Sequence, residues 1–330
     1  MKLKIFVTRK LPEVALQLLE EHFEMRCNSE DRVLTQKEIL DGTKWCDILL
    51  CLLTDVIDAK ILRANPNLKA VINYAVGYNN IDIAEANKLK IPVTNTPGVL
   101  TDTTADMAWA LMFAIGRRIV EADRYVRAGK FSGWQPMLML GGDIYGKTLG
   151  IVGAGRIGAA VARRAAGFKM KIIYCDDEKN HEMEAECSAE KVELKSLLQQ
   201  SDFVSLHVPL SPDTYHLISK QELELMKPTA YLINTARGAV VNEIDLLEAL
   251  QNKTIAGAGL DVFEHEPELS AGLTRLDNVV LVPHIASASI DTRTKMAMMA
   301  ANNAIVIKDR HTPPNLVNPE ILNGGLKLSQ

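Results

Sequence analysis

Short apolar runs alternate with stretches of helical spacing along most of this chain. In the first hundred residues the runs are Lys4–Thr8, Asp47–Leu53, Ala70–Ala75 and Ile91–Thr96. Between them, segments such as Pro12–His22 and Thr35–Thr43 repeat apolar residues at helical intervals. From Leu149 to about Pro283 six more runs recur: Leu149–Gly153, Lys171–Asp176, Phe203–Val208, Ala230–Ala236, Ile255–Val262 and Val279–Val282. This alternation predicts two parallel α/β sheets, the second of a size that suits a doubly wound nucleotide-binding fold. Two long helices complete the pattern. Thr101–Gly116 is almost wholly apolar, with Asp102 or Thr103 as its expected cap and Asp106 in its first turn, which fits burial between domains or in an ordinary core. Ser287–Ile307 is the second, and the simplest topology returns it to the first domain.

Composition narrows the class without changing that picture. The 330 residues suffice for two cores, and 47% apolar with 24% charged residues is ordinary for a soluble globular protein. A net charge of −4, with scattered Lys and Arg, leaves no footprint for nucleic acid. No apolar run nears the roughly 18 residues that span a bilayer. The opening Met1–Thr8 reads as a strand rather than a signal segment. Five cysteines without Cys-x-x-Cys spacing fit a reducing cytoplasm, and the histidines show no metal-ligand pairing, so no metal is expected.

Gly153-Ala-Gly155-Arg-Ile-Gly158 follows one strand-like run and opens a helix over Arg156–Gly167. In that context Gly153 permits a tight turn, Gly155 lets the backbone approach a pyrophosphate, and Gly158 lets helix and strand pack closely. The helix N-terminus offers unpaired N–H groups to the phosphates. Asp176 lies 18 residues beyond Gly158 at the end of the next run, placed to bind ribose hydroxyls and to repel a 2′-phosphate. With Asp177 beside it, the expected cofactor is NAD(H) in preference to NADP(H).

Arg237, Glu266 and His284 each follow one of the last three runs. Singly, each also fits a structural role: a strand-end arginine, a solvated acidic loop, a satisfied histidine. Together they place a planar cation, a carboxylate and an imidazole on one rim of the sheet. Arginine's fork matches a carboxylate, and a carboxylate bonded to an imidazole favours its protonated form, making it a proton donor. Glu264 and His265 fall on the wrong side of the loop, and His207 and His216 follow an earlier run, nearer the cofactor. A hydrolase reading fails for want of a Gly-x-Ser-x-Gly elbow or a cysteine with a basic partner.

These motifs, with Asn234-Thr-Ala-Arg-Gly238, Gly259–Pro267, Pro283–Ala288, Asn73–Gly77, Thr94–Gly98 and Asp143–Lys147, resemble the D-isomer-specific 2-hydroxyacid dehydrogenases over the whole chain, and among them the glyoxylate/hydroxypyruvate reductases. The resemblance implies two doubly wound parallel-sheet domains, Rossmann-like and flavodoxin-like, with a cleft between them. Residues 1–99 and 286–330 would be the substrate domain and 100–285 the NAD-binding domain. It implies that Arg237 holds the substrate carboxylate, that His284 gives the proton and that Glu266 pairs with His284. Leu53 and Tyr74 would shape the pocket, with the N–H groups of Val76 and Gly77 on the carboxylate. Thr104, Arg156, Ile157, Asp176, Val208, Pro209, Thr214, Ala236 and Asp261 match cofactor contacts, beside the three glycines. It further implies a homodimer formed through the nucleotide domain and the Gly129–Gly142 arm. Asp176-Asp177 departs from relatives with Ser-Arg or Gly-Arg there, which again favours NADH.

Two related functions stay open on the resemblance. A phosphoglycerate dehydrogenase would need cations for a phosphate, whereas Cys51–Val56 carries Asp55 and no base, and no regulatory domain is expected after residue 330. An NADH-sensing corepressor can keep the same trio, but the extended disordered tails such a protein would carry are not expected here. Formate oxidation does not need a His–Glu proton donor.

Overall fold

The computed structural model describes residues 2–324, in two compact units. One takes the chain up to Leu100 and again from Ala288, and the other is Thr101–Ser287.

The first unit opens with β1 (Lys4–Val7), α1 (Glu13–His22), β2 (Glu24–Cys27), α2 (Gln36–Trp45), β3 (Ile48–Leu52), α3 (Ala59–Arg63), β4 (Ala70–Tyr74), α4 (Ile83–Leu89) and β5 (Val93–Thr94). All five strands are parallel, in the order β2-β1-β3-β4-β5. This is the flavodoxin-like doubly wound order, in which ligands collect at the carboxyl ends of the strands. β3 and β4 are buried along nearly their whole length, as strands covered by helices on both faces must be. Helix starts are set by side-chain caps: Thr35 and Glu38 form a capping box on α2, and Asp58 and Asp82 cap α3 and α4.

The second unit contains α5 (Thr101–Gly116), α6 (Ile119–Arg127), β6 (Thr148–Val152), α7 (Arg156–Ala165), β7 (Lys171–Cys175), α8 (His181–Cys187), β8 (Glu190–Lys191), α9 (Leu194–Gln200), β9 (Phe203–Leu206), α10 (Lys220–Leu225), β10 (Tyr231–Asn234), α11 (Glu243–Gln251), β11 (Gly257–Leu260) and β12 (Val279–Leu281). Its seven parallel strands run β12-β11-β10-β9-β6-β7-β8, so the strand order reverses at β6. β8 is an edge strand of two residues that no apolar run announces.

Helix α5 buries Leu111, Met112 and Ile115 against the second sheet and packs on α7, where Trp109 Nε1 donates to the Val161 carbonyl at 3.1 Å. It begins at Thr101, so Asp102 and Thr103 lie inside its first turn instead of capping it. Asp102 and Asp106 pair there with Arg164 of α7, at 3.1 and 2.8 Å.

The last helix, α12 (Ile290–Lys308), belongs to the first unit and packs on α1 and β4. Ser289 caps it, and the Tyr74 hydroxyl donates to the Arg293 carbonyl at 2.8 Å. Among the described residues no helix is long and apolar enough to cross a membrane.

Candidate active site

β10, β11 and β12 are adjacent and parallel, so their carboxyl ends open on the same edge of the second unit. Beyond β10, Asn234 folds the turn by donating to the Arg237 carbonyl at 2.9 Å and accepting from the Ala236 N–H at 3.0 Å. The next position must be glycine. A Cβ on Gly238 would lie 1.9 Å from the Phe263 carbonyl carbon, so the loops after β10 and β11 touch only because none is there. Arg237 is half-buried, and its Nη1 donates to the Ala236 carbonyl at 2.7 Å. Burial lowers its pKa while the charge of Glu266 opposes that, and a guanidinium so placed stays a cation.

Glu266 is gripped on both oxygens. Oε1 accepts from the Phe263 N–H at 3.0 Å, and Oε2 lies 2.8 Å from His284 Nδ1. Burial opposes its ionisation. The hydrogen bond and charge of His284, the Phe263 N–H and Arg237 outweigh that and hold its carboxyl below the usual range. The stability gained from this ionised state is therefore present above the ordinary carboxylate pKa and is lost as pH falls through the lowered folded value. With Nδ1 committed to Glu266, Nε2 is the ring nitrogen of His284 left to face a substrate.

His284 occupies a left-handed backbone conformation, φ +52°. Asp261, at the end of β11 and fully buried, holds it there. The His284 N–H donates to the Asp261 carbonyl at 2.8 Å, and the carboxylate accepts from Ile285 N–H at 2.6 Å and Ala286 N–H at 2.9 Å. Burial raises the Asp261 pKa against the pull of those two amides and of His284.

At the reversal of strand order, the turn after β6 presents the glycine-rich segment. Gly153 has φ +95°, and a Cβ there would come within 2.8 Å of His207 and Val208 backbone atoms. A Cβ on Gly155, which opens α7, would meet nothing within 4 Å. Asp176 follows β7 and accepts from the Ala154 N–H at 2.6 Å, while Asn180 Nδ2 donates to the Ala154 carbonyl at 2.6 Å. Sequence reasoning passed over Asn180, which caps α8 as well. Arg156 is exposed and Ile157 half-buried at the start of α7, whereas Gly158 is buried.

The loop after β9 carries half-buried Val208 and exposed Pro209, and Thr214 closes it by donating to the Pro209 carbonyl at 2.6 Å. Ala236 is half-buried near the Arg237 turn, and Thr104 is buried in α5. His207 Nδ1 and Thr235 Oγ1, just past β9 and β10, are buried polar atoms without a partner among the described residues. His207 is neutral at working pH, because burial lowers its pKa to about 3. Open space at Gly155, a free helix start and a carboxylate beyond the second strand of the fold suit a dinucleotide.

His216 and Glu264, set aside in the sequence, form their own pair at 2.6 Å. Glu264 and Glu243 each accept the other's N–H, at 3.1 and 2.9 Å, which ties the loop before Glu266 to α11.

In the first unit, Leu53 follows β3, and Val76 and Gly77 follow β4. Tyr74 is buried at the end of β4 with its hydroxyl engaged on α12. Asn80 Nδ2 donates to the Leu52 and Asp55 carbonyls, both at 3.0 Å, bracing the loop that carries Leu53.

Residues 109–286 match the family model for the NAD-binding domain of D-isomer-specific 2-hydroxyacid dehydrogenases. The chain is 56% identical to a glyoxylate reductase of Korarchaeum cryptofilum over 98% of both chains. A crystallised Thermus thermophilus protein shares the fold at TM-score 0.89 and 40% identity, over 95% of this chain and 99% of that one. An NADPH-dependent glyoxylate/hydroxypyruvate reductase from Sinorhizobium meliloti, crystallised with NADP and malonate, matches at TM-score 0.85 and 31% identity, over 96% and 97% of the two chains.

Proposed function

Because this chain belongs to the D-isomer-specific 2-hydroxyacid dehydrogenases, we propose that it reduces a small 2-keto acid, glyoxylate or hydroxypyruvate, to the 2-hydroxy acid, the D-isomer where C2 is a stereocentre, at the expense of NADH. The observation that carries this reading is the 2.8 Å His284–Glu266 pair on the same sheet edge as Arg237. A bound nicotinamide dinucleotide supplies the hydride. Arg237 clamps the substrate carboxylate and fixes the carbonyl, and His284 Nε2 delivers a proton to its oxygen. Glu266 holds the ring through Nδ1, so that Nε2 faces the substrate. Leu53, Tyr74, Val76 and Gly77 are the proposed contributions of the first unit to substrate binding.

Gly153, Gly155, Arg156, Ile157 and Gly158 would hold the pyrophosphate, with Val208, Pro209, Thr214, Ala236 and Thr104 lining the rest. Asp261, proposed as a cofactor contact, also shapes the His284 turn, since its buried carboxylate accepts from two amides there. Turnover of NADH with glyoxylate or hydroxypyruvate tests the assignment.

Asp176 sets the preference for NADH. Asp176→Asn keeps an acceptor for the Ala154 N–H but removes the charge. It is expected to raise the ratio of kcat/KM for NADPH over NADH at least about tenfold, by removing repulsion of a 2′-phosphate. An unchanged ratio would take Asp176 out of the ribose site.

A homodimer fits the exposed apolar side chains Phe131, Trp134, Met137 and Leu140, with Trp134 85% exposed. Trp134→Glu should convert the sedimenting species from dimer to monomer. A wild-type protein that sediments as a monomer at micromolar concentration would refute the dimer.

A further inference from the structure

The loop after β4 has an unusual hydrogen-bond pattern. Three successive carbonyls are pinned within the first unit, two of them by asparagine side chains. The Ala75 carbonyl accepts from the Thr96 N–H at 2.9 Å, Val76 from Asn95 Nδ2 at 2.8 Å, and Gly77 from Asn73 Nδ2 at 2.8 Å. The peptides that follow these carbonyls are trans. A trans peptide points its N–H opposite to its C=O. Holding the carbonyls on the fold therefore turns the N–H groups of Val76, Gly77 and Tyr78 away from it. None of the three has an acceptor among the described residues.

Consecutive unpaired amides of this kind attract anions. Asn73 is fully buried, and its Oδ1 accepts weakly from Asn80 Nδ2 at 3.5 Å. Asn95 is fixed by its own backbone, with its N–H on the Asn315 carbonyl at 3.2 Å and its carbonyl accepting from Asn303 Nδ2 at 3.3 Å.

We propose that Asn73 and Asn95 are positioning residues that hold the Val76, Gly77 and Tyr78 amides as a three-donor cradle for the substrate carboxylate. This rests on the 2-keto acid reading above and adds the Tyr78 N–H and the two asparagines to it. The asparagines do not touch substrate. They act through the carbonyls they restrain, and an aspartate of the same shape cannot do this because it has no N–H to donate.

The test uses the full-length enzyme with NADH, comparing wild type, Asn95→Asp, Asn95→Ala and Asn73→Ala. Both Asn95 variants should raise the KM for glyoxylate about tenfold, the effect of losing roughly one well-made hydrogen bond to a carbonyl. They should weaken binding of oxalate by a similar factor, with the KM for NADH within about twofold of wild type. Asn73→Ala should do the same if it folds; Asn95 carries the test if it does not.

A glyoxylate KM and oxalate affinity unchanged in both Asn95 variants would overturn the proposal. So would a parallel rise in the KM for NADH, or a wild-type holoenzyme that binds no oxalate. Should wild type reduce no 2-keto acid, the functional reading fails, while oxalate titration of the NADH complex still reads the cradle separately.

Discussion

Replacing His284 with alanine is expected to lower kcat by roughly 10²–10⁴-fold, the range typical for loss of a positioned general acid, with NADH affinity nearly intact. The geometry explains why the loss should be confined to chemistry. The imidazole meets Glu266 through Nδ1 at 2.8 Å, which leaves Nε2 as the proposed proton donor, and among the described residues no other ring is held by Glu266. The backbone turn does not depend on that ring, because Asp261 holds the His284, Ile285 and Ala286 N–H groups. His284→Asn is the companion variant, since asparagine tolerates the left-handed φ of +52° that alanine occupies less readily. Stopped-flow or steady-state turnover together with fluorescence titration of NADH separates the two effects. A variant that retained wild-type kcat would remove His284 from proton transfer.

Arg237→Ala is expected to reduce kcat/KM for the 2-keto acid by roughly 10²–10³-fold, the scale of two charge-assisted hydrogen bonds lost from a fork. Most of this should appear as a higher KM for the keto acid. A fall in kcat should accompany it, because the fork that binds the carboxylate also fixes the orientation of the reacting carbonyl. Arg237→Lys keeps charge without the planar fork and should recover only part of the loss. NADH affinity is the control. If Arg237→Ala left both kcat and KM unchanged, the carboxylate clamp would be wrongly placed.

The residues that announced themselves in sequence did so through position relative to apolar runs. Arg237, Glu266 and His284 each follow a run that became β10, β11 or β12, and those strands are neighbours in the sheet. Gly153–Gly158 and Asp176 were legible for the same reason. The edge strands β2 and β8 were not. β2 (Glu24–Cys27) is half polar and β8 (Glu190–Lys191) has two residues, so neither buries enough to leave an apolar signature.

The internal ties were equally invisible, because they join residues far apart in sequence. Asp261 is visible in sequence only as a strand-end acid, and its two amide partners, more than twenty positions on, are not. Asn180 on Ala154, His216 on Glu264 and Asn95 on Val76 are of the same kind. Local periodicity reports which face of an element is buried. It does not report which backbone carbonyl a polar side chain holds, and much of this site is built from such contacts.

The measurement that tests the central claim most directly is kcat/KM for a panel of small 2-keto acids, with NADH and with NADPH, on purified wild-type protein. The expected result is NADH oxidation with glyoxylate and hydroxypyruvate, NADH favoured over NADPH, and the D-isomer as the product of hydroxypyruvate. A protein that binds NADH yet oxidises none of it with any small 2-keto acid would contradict the account and leave a nucleotide-binding protein without turnover.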